Sequence, residues 1–522
     1  MKNIQLIIPM SGLGLRFVNA GYTDPKPLIK VDNKPIIQHV LELFPGVDTV
    51  TFICNEMHLA TTDMESVLRT IAPNSKIVSI PYQKLGPVNA ILAAQEYIND
   101  DMETIVSYCD YGTVWDFEKF INDARKTNAE GSIACYKGFH PHMLGSDNYA
   151  FCREENNILL EIKEKQPFTS NKMNEYASNG TYYFSSGSIL KKYFSKLIDS
   201  KIDTNGEYYV SMVYNLMVVD GLRVNIFEIE KMLQWGTPYD LEIYKQWSDY
   251  FFKINKYGHP KIEDSVSTLI LPMAGHGSRF SEVGYKLPKP FLPVQNKPMF
   301  EQAIDCLPKT DKAVFISLEE HISKYDIHKV LKDKYDSYQV ISVPNVTSGQ
   351  ASTCQIGIIS AGVDSDTPIT ISACDNGVYY DSHKYKTLLD DPTIDVIVWS
   401  FRNNQASKVN PHMYSWLDVD VNNNIKYVSC KNFIYENPLQ THAIIGTMFF
   451  RKAKYFLDGL VENHKNKFTT NGEYYVDDVI NRCIEAGLTV KVFEVENYIC
   501  WGTPDDYKTY LYWEEHFKKG VI

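Results

Sequence analysis

Two lysines in this chain are held between prolines: Lys26 by Pro25 and Pro27, and Lys289 by Pro288 and Pro290. Each follows a short glycine loop that carries an arginine, Gly12-Leu13-Gly14 with Arg16 and Gly275-His276-Gly277 with Arg279. Proline limits backbone freedom, so the ammonium is presented from a stiff loop. Glycine lets backbone N–H groups turn outward and approach a ligand closely. Successive N–H groups form an anion nest, and arginine adds a permanent cation. This set suits a triphosphate with a second phosphate beside it. It is not the GxxxxGK[ST] phosphate loop, and Phe17 and Phe280 stand where a dinucleotide fingerprint needs its third glycine.

The stretch is written twice in constant register, Pro9 to Pro35 and Pro272 to Pro298. Other blocks return in the same order. Asp110 in CDYGTVWD is answered by Asp375 in CDNGVYYD, TNGEYYV occurs at Thr204 and at Thr470, and WGTP occurs at Trp235 and at Trp501. An aspartate closing an apolar strand can hold Mg²⁺ against phosphate oxygens. Asp116 and Asp381 precede helix-like runs and read instead as caps.

The elements that must position these residues alternate. Apolar runs at Ile4–Ile8, Thr49–Cys54, Lys76–Ile80 and Thr104–Tyr108 read as strands, with helical periodicity at Pro35–Leu43, near Thr61–Thr70 and at Leu85–Tyr97. The second half repeats the order from Thr268–Leu271 onward. Alternation of this kind implies α/β domains built on mostly parallel sheets flanked by helices, with ligands at the carboxyl ends of strands. The repeat divides the chain into residues 1–252 and 268–522, with the polar, Gly- and Pro-bearing segment 253–267 as linker.

GLGLRF…PKPLIKVDNKP and GHGSRF…PKPFLPVQNKP resemble the signature of the sugar-phosphate nucleotidyltransferases, or nucleotide-sugar pyrophosphorylases, although Ser11 and Ala274 replace the first glycine of that pattern. The resemblance covers nearly all of each half and implies two tandem Rossmann-like (GT-A-like) domains. It also implies transfer of a nucleoside monophosphate from an NTP to a phosphorylated sugar or similar small acceptor, with release of pyrophosphate. Arg16, Lys26, Arg279 and Lys289 would be catalytic. Gly12, Leu13, Gly14, Gln83 and Gly86, and Gly275, His276, Gly277 and Gly349, would bind nucleotide. Asp110 and Asp375 would hold Mg²⁺. Glu164, Lys165, Asn179, Gly180 and Glu207, and Lys431 and Glu473, would meet the acceptor. The family's second metal aspartate is replaced by Gln234 and Cys500, neither a good Mg²⁺ ligand, so substrate and water or another carboxylate would complete the metal's shell; Glu164 and Asn179 of the first copy match Cys430 and Ile445 of the second.

Three readings stay open: two active halves, one active half beside a degenerate one, or a cytidylyltransferase for a non-sugar phosphate or phosphonate. CTP, UTP or dTTP is the expected nucleotide, and supply of surface-polysaccharide precursors the expected setting. Net charge is −12, from 52 Lys and Arg against 64 Asp and Glu, so neither nucleic acid nor an anionic membrane is an expected partner. The ten cysteines show no metal-ligand spacing, which with the absence of a leader-like start leads to the expectation of a reduced, cytoplasmic enzyme. A homo-oligomer is left open.

Overall fold

The structure, a computed structural model, describes residues 3–260, 262 and 267–518. Its chain contacts divide it into two units, Met1–Lys245 and Gln246–Ile522.

In the first unit the sheet strands are β1 (Ile4–Met10), β2 (Thr49–Asn55), β3 (Lys76–Ile80), β4 (Glu103–Ser107), β5 (Gly131–Tyr136), β6 (Ala150–Glu155), β7 (Ile158–Glu164), β8 (Tyr176–Phe184) and β9 (Val224–Glu228). They lie in the order β3-β2-β1-β4-β8-β5-β9-β7-β6. β1, β2 and β4 are buried on nearly every residue, as strands covered on both faces must be. The sheet is mixed, which corrects the mostly parallel expectation. Pairing is parallel through β3-β2-β1-β4, but β8 runs antiparallel to both β4 and β5. The hairpin of β6 and β7 is antiparallel as well. Val88, Ile91, Leu190, Phe194, Val213 and Met217 from three helices pack on Ile7, Val106, Ile133 and Phe184 of the sheet. Burying each large side chain of this kind contributes about 1.5–3 kcal/mol.

The second unit has β10 (Thr268–Met273), β11 (Lys312–Leu318), β12 (Ser337–Val343), β13 (Ile369–Ile371), β14 (Val396–Phe401), β15 (Trp416–Val419), β16 (Ile425–Ser429), β17 (His442–Phe450) and β18 (Val490–Glu494). The path is β12-β11-β10-β13-β17-β14-β18, with β15 pairing β16 and β17. β17, antiparallel to both β13 and β14, takes the place of β8.

Asp116 and Asp381 cap as expected: their side chains accept from Lys119 N and from Lys384 N. Residues 253–257 complete the helix Pro238–Tyr257, and residues 261 and 263–266 lie outside the described residues. Apolar side chains at helical spacing, among them Leu241, Tyr244, Tyr250 and Phe251, stay buried along that helix, so the polar residues that follow do not end it.

Candidate active site

β1 ends at Met10, and the glycine loop follows at once. Gly14 adopts φ 64°, and Gly277 φ 62° in the second unit. This left-handed conformation opens the helices Leu15–Asn19 and Ser278–Glu282, and glycine adopts it without the Cβ clash. It leaves Arg16 and Arg279 exposed while Phe17 and Phe280 anchor the loop in the core. A Cβ on Gly14 would lie 3.6 Å from Lys26 Cβ, so the glycine loop and the proline-held lysine are adjacent.

Lys26 Nζ donates to Asp110 Oδ2 at 2.6 Å, and Lys289 Nζ to Asp375 Oδ2 at 2.6 Å. All four side chains are 20–25% exposed. Desolvation pulls the Lys26 ammonium down, but Asp110 outweighs it and holds the group above its ordinary value; Asp375 does the same for Lys289. Burial would raise the Asp375 carboxyl, yet Lys289, Arg279 and Lys431 together hold it below its ordinary value.

The WGTP block reaches this pair through a two-stranded ladder. Tyr111–Val114 pairs with Lys231–Gln234, which sets Gln234 opposite Tyr111, and Trp235 N donates to the Asp110 carbonyl at 3.2 Å. In the second unit Cys500 faces Asn376, and Trp501 N donates to Asp375 O at 2.9 Å. A Cβ built on Gly236 would lie 2.9 Å from Asp110 Oδ2 and 3.2 Å from Gln234 Oε1, so a carboxylate and an amide oxygen converge there. Both are hard oxygen donors, and this set fits Mg²⁺. Over Gly502 the corresponding atoms are Asp375 Oδ2 and Cys500 Sγ, both at 3.3 Å. Burial pushes the Cys500 thiol up, so a protonated sulfur stands there and fits a hard cation poorly.

The acceptor residues named from the sequence separate into two groups. Glu164, Lys165 and Glu207 come together. Lys165, at φ 57°, donates through Nζ to Tyr209 Oη at 2.6 Å, and Tyr209 in turn donates to Glu207. Glu164 accepts from Ser211 Oγ at 2.5 Å, and burial raises its carboxyl against the opposing effects of Ser211 and Lys165. Arg16 acts electrostatically on Lys26, Tyr209 and Asp240, which ties this group to the phosphate loop. Asn179 and Gly180 do not join it. Asn179 is buried, donates to Thr113 Oγ1 at 3.0 Å and accepts from Thr181 N at 2.9 Å, so its polarity is used within the fold. Gly180 packs on the Tyr108 ring. In the second unit Lys431, at φ 49°, turns its Nζ to the Met413 carbonyl at 2.6 Å. Glu207 and Glu473 do not cap the helices after them, which begin at Val210 and Val476 with Tyr209 and Tyr475 at the N-cap.

Gly86 and Gly349 serve packing first. A Cβ on Gly86 would lie 2.6 Å from Tyr208 N, and one on Gly349 2.5 Å from Tyr474 N. Val88 N donates to Tyr208 O and Tyr208 N to Leu85 O, which stitches this loop to the Glu207 segment. Gln83 stands exposed on the same loop; Leu13 is half-buried and His276 exposed. His142 packs among Tyr136 and Tyr149 rings.

Sequence reasoning passed over Tyr209, Ser211 and Asp240. Asp240 and Asp506 repeat after WGTP, each accepting from the threonine of that block at 2.6 Å. Burial pushes the Asp240 carboxyl up to about 6. The repetition itself was the signal, and it was available in the sequence.

Residues 6–221 match the family model described as Nucleotidyl transferase. The bifunctional protein GlmU of Staphylococcus epidermidis is 27% identical over 228 residues, 42% of this chain and 47% of that protein. The chain thus spans about half the length of the curated relatives it matches. A nucleoside-diphosphate-sugar pyrophosphorylase from Vibrio cholerae RC9 is 18% identical, covering 46% of this chain and 99% of its own, with a TM-score of 0.38. The inositol-1-phosphate CTP transferase from T. maritima is 16% identical, covering 47% and 95%, with a TM-score of 0.37. The match to the nucleotidyl transferase family thus lies in the first unit, over residues 6–221 of the 522-residue chain.

Proposed function

We propose that each unit is a nucleotidyltransferase domain that moves a nucleoside monophosphate from an NTP to a phosphorylated small acceptor. The observation that carries this reading is the paired Lys and Asp, made twice at 2.6 Å beside a glycine loop at the carboxyl end of the parallel strands. An oxygen of the acceptor phosphate bonds to the α-phosphorus, the bond from that phosphorus to the bridging oxygen of pyrophosphate breaks, and pyrophosphate leaves with the electron pair. The acceptor phosphate is already an anion at neutral pH, so no general base is required. Catalysis rests on positioning and on neutralising charge at the α-phosphorus.

The loop amides of Gly12 to Gly14 and Arg16 would hold the triphosphate, and Lys26 would bridge the α-phosphate and the acceptor phosphate. Asp110 and Gln234 would hold Mg²⁺, which when bound would neutralise phosphate charge. Lys165, Glu164 and Glu207 would meet the acceptor. Gly275 to Gly277, Arg279, Lys289 and Asp375 would take the same parts in the second unit. CTP, UTP or dTTP as donor and polysaccharide precursors as product complete the reading. Among the described residues no helix is long and apolar enough to cross a membrane.

Cys500 at the second metal position favours a second reading, in which the second unit is weakly catalytic or regulatory. Pyrophosphate release, measured with Mg²⁺ and each of five NTPs against a panel of phosphorylated acceptors, tests both. Loss of turnover in the Lys26→Ala, Lys289→Ala chain with folding intact is expected. Turnover unchanged in that chain refutes the assignment, and turnover abolished by Lys26→Ala alone selects the second reading.

A further inference from the structure

The second unit exchanges the positions of two polar groups that the first unit places at the end of β7 and the start of the helix beside it. In the first unit Glu164 at the end of β7 accepts from Ser211, the second residue of the helix Val210–Val219. An asparagine clamp sets that register: Asn215 Oδ1 accepts from Ile162 N at 2.9 Å, and Asn215 Nδ2 donates to Ile162 O at 2.8 Å. The second unit repeats the clamp, with Val428 N to Asn481 Oδ1 at 2.8 Å and Asn481 Nδ2 to Val428 O at 2.9 Å. The helix Val476–Glu485 therefore stands on β16 as its counterpart stands on β7. Cys430 takes the place of Glu164, and Asp477 the place of Ser211. Asp477 acts electrostatically on Cys430, as that placement requires.

Asp477 is 7% exposed, and among the described residues no hydrogen bond or ion pair engages its carboxylate. A carboxylate that the fold leaves without a donor is free to accept from a ligand. Lys431 does not bind Asp477. In the first unit Lys165 reaches Glu207 through Tyr209, whereas Lys431 is bound to the Met413 carbonyl. Asp478 beside it accepts only the Thr470 hydroxyl, at 2.9 Å, and the Cys430 thiol.

Resting on the transfer reading above, we propose that Asp477 is the acceptor-recognising carboxylate of the second unit, and that this unit takes a phosphorylated acceptor carrying a protonated amino group. The loss of Glu164 and Asn179 counterparts in the second copy is then a change of acceptor and not a decay of the site.

The test uses the full chain with Lys26→Ala, which silences the first unit. Pyrophosphate release is measured with Mg²⁺ and each of five NTPs against two matched pairs: glucosamine 1-phosphate with glucose 1-phosphate, and phosphoethanolamine with glycerol 3-phosphate. The expected result is a preference of at least about tenfold for an amine of either pair. Asp477→Asn, which keeps the shape, is expected to raise KM for that amine by about ten- to a hundredfold with the KM for NTP unchanged, the effect of one lost charge-assisted hydrogen bond. Cys430→Glu with Asp477→Ser is expected to move the preference toward the hydroxyl partner. Preference for the hydroxyl compounds, or an acceptor KM unmoved by Asp477→Asn in a chain of native Tm, overturns the proposal and leaves Asp477 a helix-terminal acid. Silence of the Lys26→Ala chain while the Lys289→Ala chain turns over also overturns it, and the transfer reading stands for the first unit. Silence of both variants and of the native chain overturns the transfer reading itself.

Discussion

If Lys26 and Asp110 are reaction groups that also neutralise one another at rest, a double-mutant cycle separates the two roles. At 2.6 Å and an effective dielectric of about 20, the pair attracts by roughly 6 kcal/mol before desolvation is subtracted. Desolvation and the 22% and 25% exposure of the two side chains reduce the net to about 2 kcal/mol. Lys26→Met or Asp110→Asn alone leaves one charge half-buried and uncompensated, so each should lower Tm by about 4–8 °C for a unit of this size. The double variant removes both charges, and its loss should fall short of the sum by about 2 kcal/mol of coupling. Turnover should behave in the opposite way. Each single variant loses an interaction aimed at the transferring phosphates, on the order of 10²–10³ in kcat, and the double variant should recover none of it. Denaturant unfolding gives the stability cycle, and pyrophosphate release in the Lys289→Ala chain gives the activity cycle. Recovery of turnover together with stability in the double variant would show that Lys26 is a structural counter-ion only, and would refute its role in transfer.

Gly86→Ala should destabilise by more than about 1 kcal/mol, because φ 87° and a 2.6 Å approach to Tyr208 N leave no place for a methyl group; unfolding by urea, with native stability as the refuting result, checks it. Asn179→Ala should cost about 1–3 kcal/mol through the orphaned Thr181 N while leaving acceptor KM within about twofold, and a large KM change would return Asn179 to the acceptor site. The Asp240 carboxyl sits at about 6 when folded, above its unfolded value, so its burial costs stability at neutral pH, and that cost fades as pH falls from about 6 toward 4. A Tm series should therefore find Asp240→Asn at least as stable as the native chain at pH 7, with the gap closing on acidification; a gap that widens would show the wrong sign. Lys165→Met should raise acceptor KM by about tenfold and leave NTP KM unchanged in steady-state assays of the Lys289→Ala chain, since Lys165 lies with Glu207 and Tyr209 and not on the phosphate loop.

The sequence alone determined the repeat, the strand–helix alternation and the residues with charge to offer. Those are local properties: a buried strand such as Ile4–Met10 reads as an apolar run, a left-handed turn demands Gly14, and a lysine between prolines announces its own rigidity. The direction of β8 was not legible, because strand periodicity is the same whichever way the chain runs. Nor was the end of the helix Pro238–Tyr257, since apolar spacing continues beneath polar residues. Only the tertiary structure decided which polar groups find partners within the fold. Asn179 resembles an acceptor contact in sequence, but β8 turns it toward Thr113. Asp477 looks like any acid at a helix start, but the Asn481 clamp turns it toward Cys430. A side chain's partners are set by elements far away in the chain, and burial then fixes whether its charge is satisfied by the fold or left for a ligand.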